Sequence, residues 1–142
     1  ASRVLDFKYH VLLPQDEKVG GNIDVTQWLA VLRSCSAMEA YFKLSHGQVN
    51  SWGVAEFLIL HDSFPRSIRF CVDALDSALH RISGTDQGHF ENEAERLSGL
   101  LRSNLDFANI SSIFKTGLHQ YLEETRNRLG GISNALAETY CR

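Results

Sequence analysis

The sequence predicts an all-α protein, an antiparallel helical bundle of about six helices that ends in a long C-terminal helix. Three observations carry that expectation. Apolar residues recur at three- and four-residue steps through most of the chain, the period of one helix face. No segment alternates apolar and polar residues over a useful strand length. The connections between the periodic stretches are short and rich in Gly, Asn, Asp and Ser, as expected between antiparallel neighbours. A chain of 142 residues fits one all-helical domain, 1–142, able to bury roughly two-thirds of its unfolded surface.

The first helix is expected over residues 1–13, with Leu5, Tyr9 and Leu12 or Leu13 on its apolar face, and Pro14 ends it by restricting Leu13. The pattern opens partway through an amphipathic helix. The chain is therefore expected to be the C-terminal part of a longer protein, with an apolar patch near Ala1 that stays exposed or drives self-association. QDEKVGGN, 15–22, reads as a polar loop. Asp24 to Gln27 forms a capping box for a second helix through about Leu44, whose stripe is Trp28, Val31, Leu32, Cys35, Met38 and Phe42. Asn50 or Ser51 caps a third helix over about 52–60, with Val54, Phe57 and Leu58 inward.

The stretch HDSFPRSIRFCVDALDSALHRI, 61–82, organises the rest. Asp62 and Ser63 are candidate caps and Pro65 suits a first helical turn. Ile68, Cys71, Val72, Leu75, Leu79 and Ile82 form its seam, and Gly84 stops it. Residues 84–91 make the longest loop, expected to be the most mobile. Asn92 caps a fifth helix with Leu97, Leu100, Leu101 and Leu105, and 106–109 turn a corner. The last helix, 111–140, would span roughly 45 Å at 1.5 Å per residue. Gly130–Gly131 should kink it. Trp28, Leu32, Cys35, Phe57, Ile68, Cys71, Leu75, Leu118 and Leu122 are the expected core, and Cys35 and Cys71 the expected buried thiols.

Composition narrows the function classes. A net charge of −3 with no basic face argues against nucleic acid as the partner. No apolar run approaches the ~20 residues of a membrane span, so no membrane association is expected. Without a signal peptide, the cytoplasm is the expected location. No metal and no cofactor are expected, because the paired Glu-x-x-His motifs of a bundle di-iron site are missing. Asp76 with His80 and His119 with Glu123 read as surface pairs four residues apart. There is no nucleophile elbow and no phosphate-binding glycine loop. The polar residues that remain near apolar seams are Arg33, Glu39, His61, Asp62, Arg66 and His119. They are the candidate ligand- or partner-binding set, with Arg66 beside free helix N–H groups as the first choice for an anion.

LDFKYHVLLP, QWLAVLRSCSAMEAYFK, VAEFLILHDSFPRSIRFC, RLSGLLRSNLDF and GLHQYLEETRNRL occur in that order. Together they resemble the C-terminal half of the alpha-E family, bacterial helical proteins named for a Glu-Arg motif. That motif would lie upstream of Ala1; Glu95–Arg96, in a different helix, is not equated with it. The resemblance implies gene partners encoding an ATP-grasp-type ligase and a transglutaminase-like peptidase, in a system that forms peptides or amides.

Two readings of function follow. The first is a non-catalytic scaffold or accessory protein that binds the ligase or the peptidase. The second is a peptide- or amino-acid-binding enzyme subunit, which would need a pocket lined by Arg33, Glu39, Arg66 and His119.

Overall fold

The computed structural model describes residues 2–11 and 22–141, and among them it has eight α-helices and no strand. They are α1 Ser2–Val11, α2 Asn22–Ser34, α3 Met38–Ser45, α4 Ser51–Leu60, α5 Ile68–Ser83, α6 Glu93–Asp106, α7 Ile110–Thr116 and α8 Leu118–Tyr140. Leu12, Leu13, Pro14 and residues 15–21 of the expected loop lie outside the described residues.

The difference from six helices has two local causes. The predicted second helix is broken at Ser36, whose φ of 50° lies in the left-handed region. The Ala37 N–H bonds the Leu32 carbonyl and the Ser36 N–H that of Arg33, closing the helix end as a Schellman-type turn. Such a turn usually carries Gly, so Ser left no mark in the sequence, and Met38 and Phe42 continued the apolar period across it. The last helix is broken at Gly117, with φ 109° and ψ 121°. This leaves α8 with 23 residues, about 35 Å rather than 45 Å. It runs without interruption through Gly130 and Gly131.

α5 begins later than its sequence suggests. Ser67, not Asp62 or Ser63, is its N-cap and accepts the Phe70 N–H at 3.1 Å. The hydroxyl also donates to the His61 carbonyl, which ties the cap to the end of α4. Pro65 therefore precedes the helix, and Arg66 sits just outside it. Gly84 closes the other end in the left-handed conformation, φ 81°, with its N–H on the His80 carbonyl.

α6 packs between α5 and α8, α1 lies against α8 and α2, and α4 meets α5 and α7. The main core gathers Trp28, Leu32, Leu58, Ile59, Leu105 and Leu118, with Leu5 of α1 fully buried among them. Leu5 is thus no part of an exposed patch. A smaller cluster of Leu79, Ala94 and Ala135 closes the far end of α5, α6 and α8. Half-buried Leu75 packs against both clusters.

Of the expected core, Cys71 is exposed. On α5 the buried strip is Ile68, Val72, Asp76, Leu79 and His80, which rotates Cys71 to the edge, and Ile82 is 66% exposed. Apolar period alone hid this, because two polar residues occupy the seam. Leu100 of α6 is likewise exposed. Cys35 is buried, and burial pushes its thiol up from the usual cysteine value.

Candidate functional site

An open groove of about 620 Å³ runs between α3, α4 and the corner after α6. Local sequence builds each wall. Asn50 caps α4 by accepting the Gly53 N–H at 2.8 Å, which fixes the first turn of α4. Glycine at 53 admits the Tyr41 hydroxyl from α3, since a Cβ there would stand 2.7 Å from that oxygen. Tyr41 donates to the Gln48 carbonyl at 3.0 Å, and burial pushes its phenol up. Its ring meets Phe57 edge-on, centroids 5.5 Å apart, and Phe57 in turn stacks on Phe64 and touches His61.

His61 and Asp62 form one end of this groove, with Arg69 beside them. His61 Nδ1 accepts the Ser63 N–H at 3.2 Å, leaving Nε2 to carry the ring proton. The Ser63 hydroxyl bonds Asp62 at 2.7 Å and holds that carboxyl below the usual aspartate value. Arg69 is turned to Asp106 at 3.1 Å. Exposed Glu56 adds a second carboxylate to the rim, and Leu44, 56% exposed, an apolar lip. Next to the groove residue Ala108, Phe107 is 88% exposed.

The other four candidates stand elsewhere. Arg33 and Glu39 are exposed, on the last turn of α2 and the first turn of α3. Arg66 donates to the Cys35 carbonyl at 3.2 Å, bracing the α2–α3 corner. His119 of α8 bonds Asp6 of α1, with Glu123 at 3.9 Å. None of the four lines the groove, so the set contributes only His61 and Asp62 to a shared site.

The densest polar cluster lies at residues that period reading passed over. Asp76 and His80, expected as a surface pair, are 2% and 6% exposed. Asp76 accepts the Ser98 hydroxyl at 2.7 Å and the Arg102 guanidinium at 3.2 Å, and Arg102 Nε reaches Asp73 at 2.6 Å. A carboxylate cannot be buried without such partners. The available signal was positional: Asp76 falls four residues after Val72 and three before Leu79, inside the seam. Among the described residues, no group of three His, Cys, Asp or Glu side chains is placed to hold a metal ion. No helix among them is long and apolar enough to cross a membrane.

Fold and site together define a class: an all-helical protein with an open, partly apolar groove between α3 and α4. The chain belongs to the Alpha-E family, whose model, described as a predicted alpha-helical domain with a conserved ER motif, matches residues 1–141. No curated protein and no solved structure matches it.

Proposed function

We propose that this chain is a non-catalytic helical scaffold that docks a partner enzyme in the groove between α3 and α4. The partner that the family implies is the ATP-grasp-type ligase, or the transglutaminase-like peptidase, of a cytoplasmic system forming peptides or amides. One observation carries the reading. The groove is open and lipped by exposed Leu44, and exposed Phe107 precedes the groove residue Ala108 in sequence, while Arg66 and His119 are engaged in contacts between helices. Exposed apolar side chains rimmed by polar ones suit a protein surface better than a small substrate.

The test is titration calorimetry of the purified protein against the purified ligase and, separately, the purified peptidase. One of them binds, and Leu44→Glu or Glu56→Lys weakens that binding by about tenfold or more while the thermal midpoint holds. Absence of binding to both, or binding that neither substitution changes, overturns the proposal. The alternative, a peptide-binding enzyme subunit, needs Arg33, Glu39, Arg66 and His119 around one pocket; none of them lines this groove, which leaves that reading only His61 and Asp62. It predicts instead that His61→Ala abolishes turnover without changing partner affinity.

A further inference from the structure

The connection between α5 and α6, residues 84–91, is held from beneath by two buried ionisable side chains, one from each helix. Glu95, 1% exposed, accepts on Oε2 both the Glu91 N–H at 2.8 Å and the Thr85 hydroxyl at 3.1 Å. One carboxylate thereby ties both ends of the connection, and its Oε1 takes the Asn92 amide at 2.7 Å. His80 holds the middle. Its Nε2 faces the His89 carbonyl at 3.0 Å and its Nδ1 the Asp76 carbonyl at 2.8 Å. A carbonyl oxygen offers only lone pairs, so both contacts are hydrogen bonds only if each ring nitrogen carries a hydrogen. The imidazolium meets that condition. A neutral ring bonds one carbonyl and turns a lone pair on the other.

We propose that residues 84–91 are a proton-dependent strap, fastened while His80 is the imidazolium and Glu95 the carboxylate, and loosened when either changes state. The groups around His80 favour its charge. From α5, Asp76 Oδ1 lies 3.7 Å from Nδ1, and exposed Arg81 follows in sequence. From α6 come Glu95 and Arg102, the latter shared among Asp73, Asp76 and Asp106. The strap itself carries exposed Asp86 and Glu91 and the exposed His89 ring, and from α8 the Tyr140 hydroxyl accepts from Asn92.

The Asp76 carbonyl raises His80 most. Burial opposes it, and the His89 carbonyl with the Asp76 and Glu95 charges leaves the ring above its ordinary value of 6.5. Burial pushes Glu95 up, but hydrogen bonds from Glu91, Thr85 and Asn92 bring it below 4.5. The signs then follow. A raised histidine fastens fully below 6.5 and releases as pH rises through its folded value. A depressed glutamate fastens above 4.5 and releases as pH falls through its folded value. Gln87, bonded to Ser77 at 3.1 Å, does not titrate and keeps a loosened strap attached at one point. Beneath the strap lies a cavity of about 420 Å³ bounded by His89 and Phe90 outside and Asp76 and Arg102 within.

Amide hydrogen exchange of the full chain, expressed as protection over the intrinsic rate, tests this across about pH 4 to pH 9, beside nitrogen NMR of the His80 ring. The Glu91 and His89 amides are expected to be most protected where both ring nitrogens are protonated. Their protection should then fall by up to about tenfold per pH unit once the ring titrates. The amide of buried Leu58 should keep its protection, and in His80→Gln the alkaline step should vanish. A bare ring nitrogen while the strap is fully protected overturns the proposal. Strap protection that ignores the ring's titration, or that falls only in parallel with Leu58, overturns it as well. Those readings come from the wild type and do not depend on how the variant folds.

Discussion

The Asp6 carboxylate of α1 is clamped by His119 and Arg126 of α8, residues 113 and 120 positions away in sequence. One oxygen takes the imidazole and the other the guanidinium, the latter at 2.7 Å, so the two helices are cross-linked by charge-assisted hydrogen bonds. Because Leu5 beside it is fully buried, this clamp also sets the rotation of α1 on the core.

Asp6→Asn should therefore cost about 1.5–3 kcal/mol in urea melts near neutral pH, the range for hydrogen bonds to charged groups. Burial pushes the Asp6 carboxyl up, and its bonds to His119 and Arg126 outweigh that and leave it below 3.8. A depressed carboxylate contributes stability above its unfolded value and loses it as pH falls through the folded one. The gap between wild type and variant should thus close in melts well below pH 3.8. A gap of unchanged size in acid would show that the clamp does not titrate with Asp6.

The core makes a ranked prediction. Leu58 is fully buried in α4, whereas Leu75 is half-buried where the two apolar clusters meet. Leu58→Ala should cost about 2–5 kcal/mol in equilibrium unfolding, the cavity range, and Leu75→Ala should fall at or below its lower end. The reverse order would mean that the smaller cluster carries more of the fold than its size suggests.

What the sequence made legible depended on which residue carried each signal. The Asn92 cap and the Gly84 stop were readable, and the Asn50 cap was narrowed to Asn50 or Ser51, because those residue types favour helix ends. The Ser36 break was not, since Ser rarely takes positive φ. Of the candidate site, His61 and Asp62 were placed together because they are neighbours in sequence. Arg66 with Cys35 and His119 with Asp6 join helices through tertiary packing, which no local pattern encodes. Asp76 and His80 were misread because a polar residue at a seam position looks like a surface residue until its partners arrive from α6 and the strap.

At the start of α5 the observed cap, Ser67, can be set against the expected one, Asp62. Ser67 is fully buried and bonds both the Phe70 N–H and the His61 carbonyl, whereas Asp62 is exposed and bonds Ser63. Ser67→Ala should cost about 1–2 kcal/mol by loss of the cap, and Asp62→Ala should leave the thermal midpoint in place. Arg66→Ala should cost about 0.5–1.5 kcal/mol of stability through the lost bond to the Cys35 carbonyl. If Arg66→Ala leaves stability intact but destroys partner binding, Arg66 belongs to the docking surface instead.

Two glycines inside helices should respond to alanine with opposite signs. Alanine ordinarily gains about 0.5–1 kcal/mol over glycine in a helix interior, by restricting the unfolded chain and supporting the helical backbone. At Gly130 of α8 an added Cβ meets nothing within 4 Å, so Gly130→Ala should realise that gain and raise the melting temperature. At Gly53 of α4 the same atom would stand 2.7 Å from the Tyr41 hydroxyl and 3.3 Å from Asn50 Oδ1. Tyr41 cannot yield freely, because its oxygen bonds the Gln48 carbonyl and its ring is packed against Phe57. Gly53→Ala should therefore lower the melting temperature despite the favourable propensity, and it should shift the Tyr41 and Gln48 resonances on the groove wall. Stabilisation at both positions would show that Tyr41 moves aside at little cost, so that glycine at 53 is not what shapes the groove.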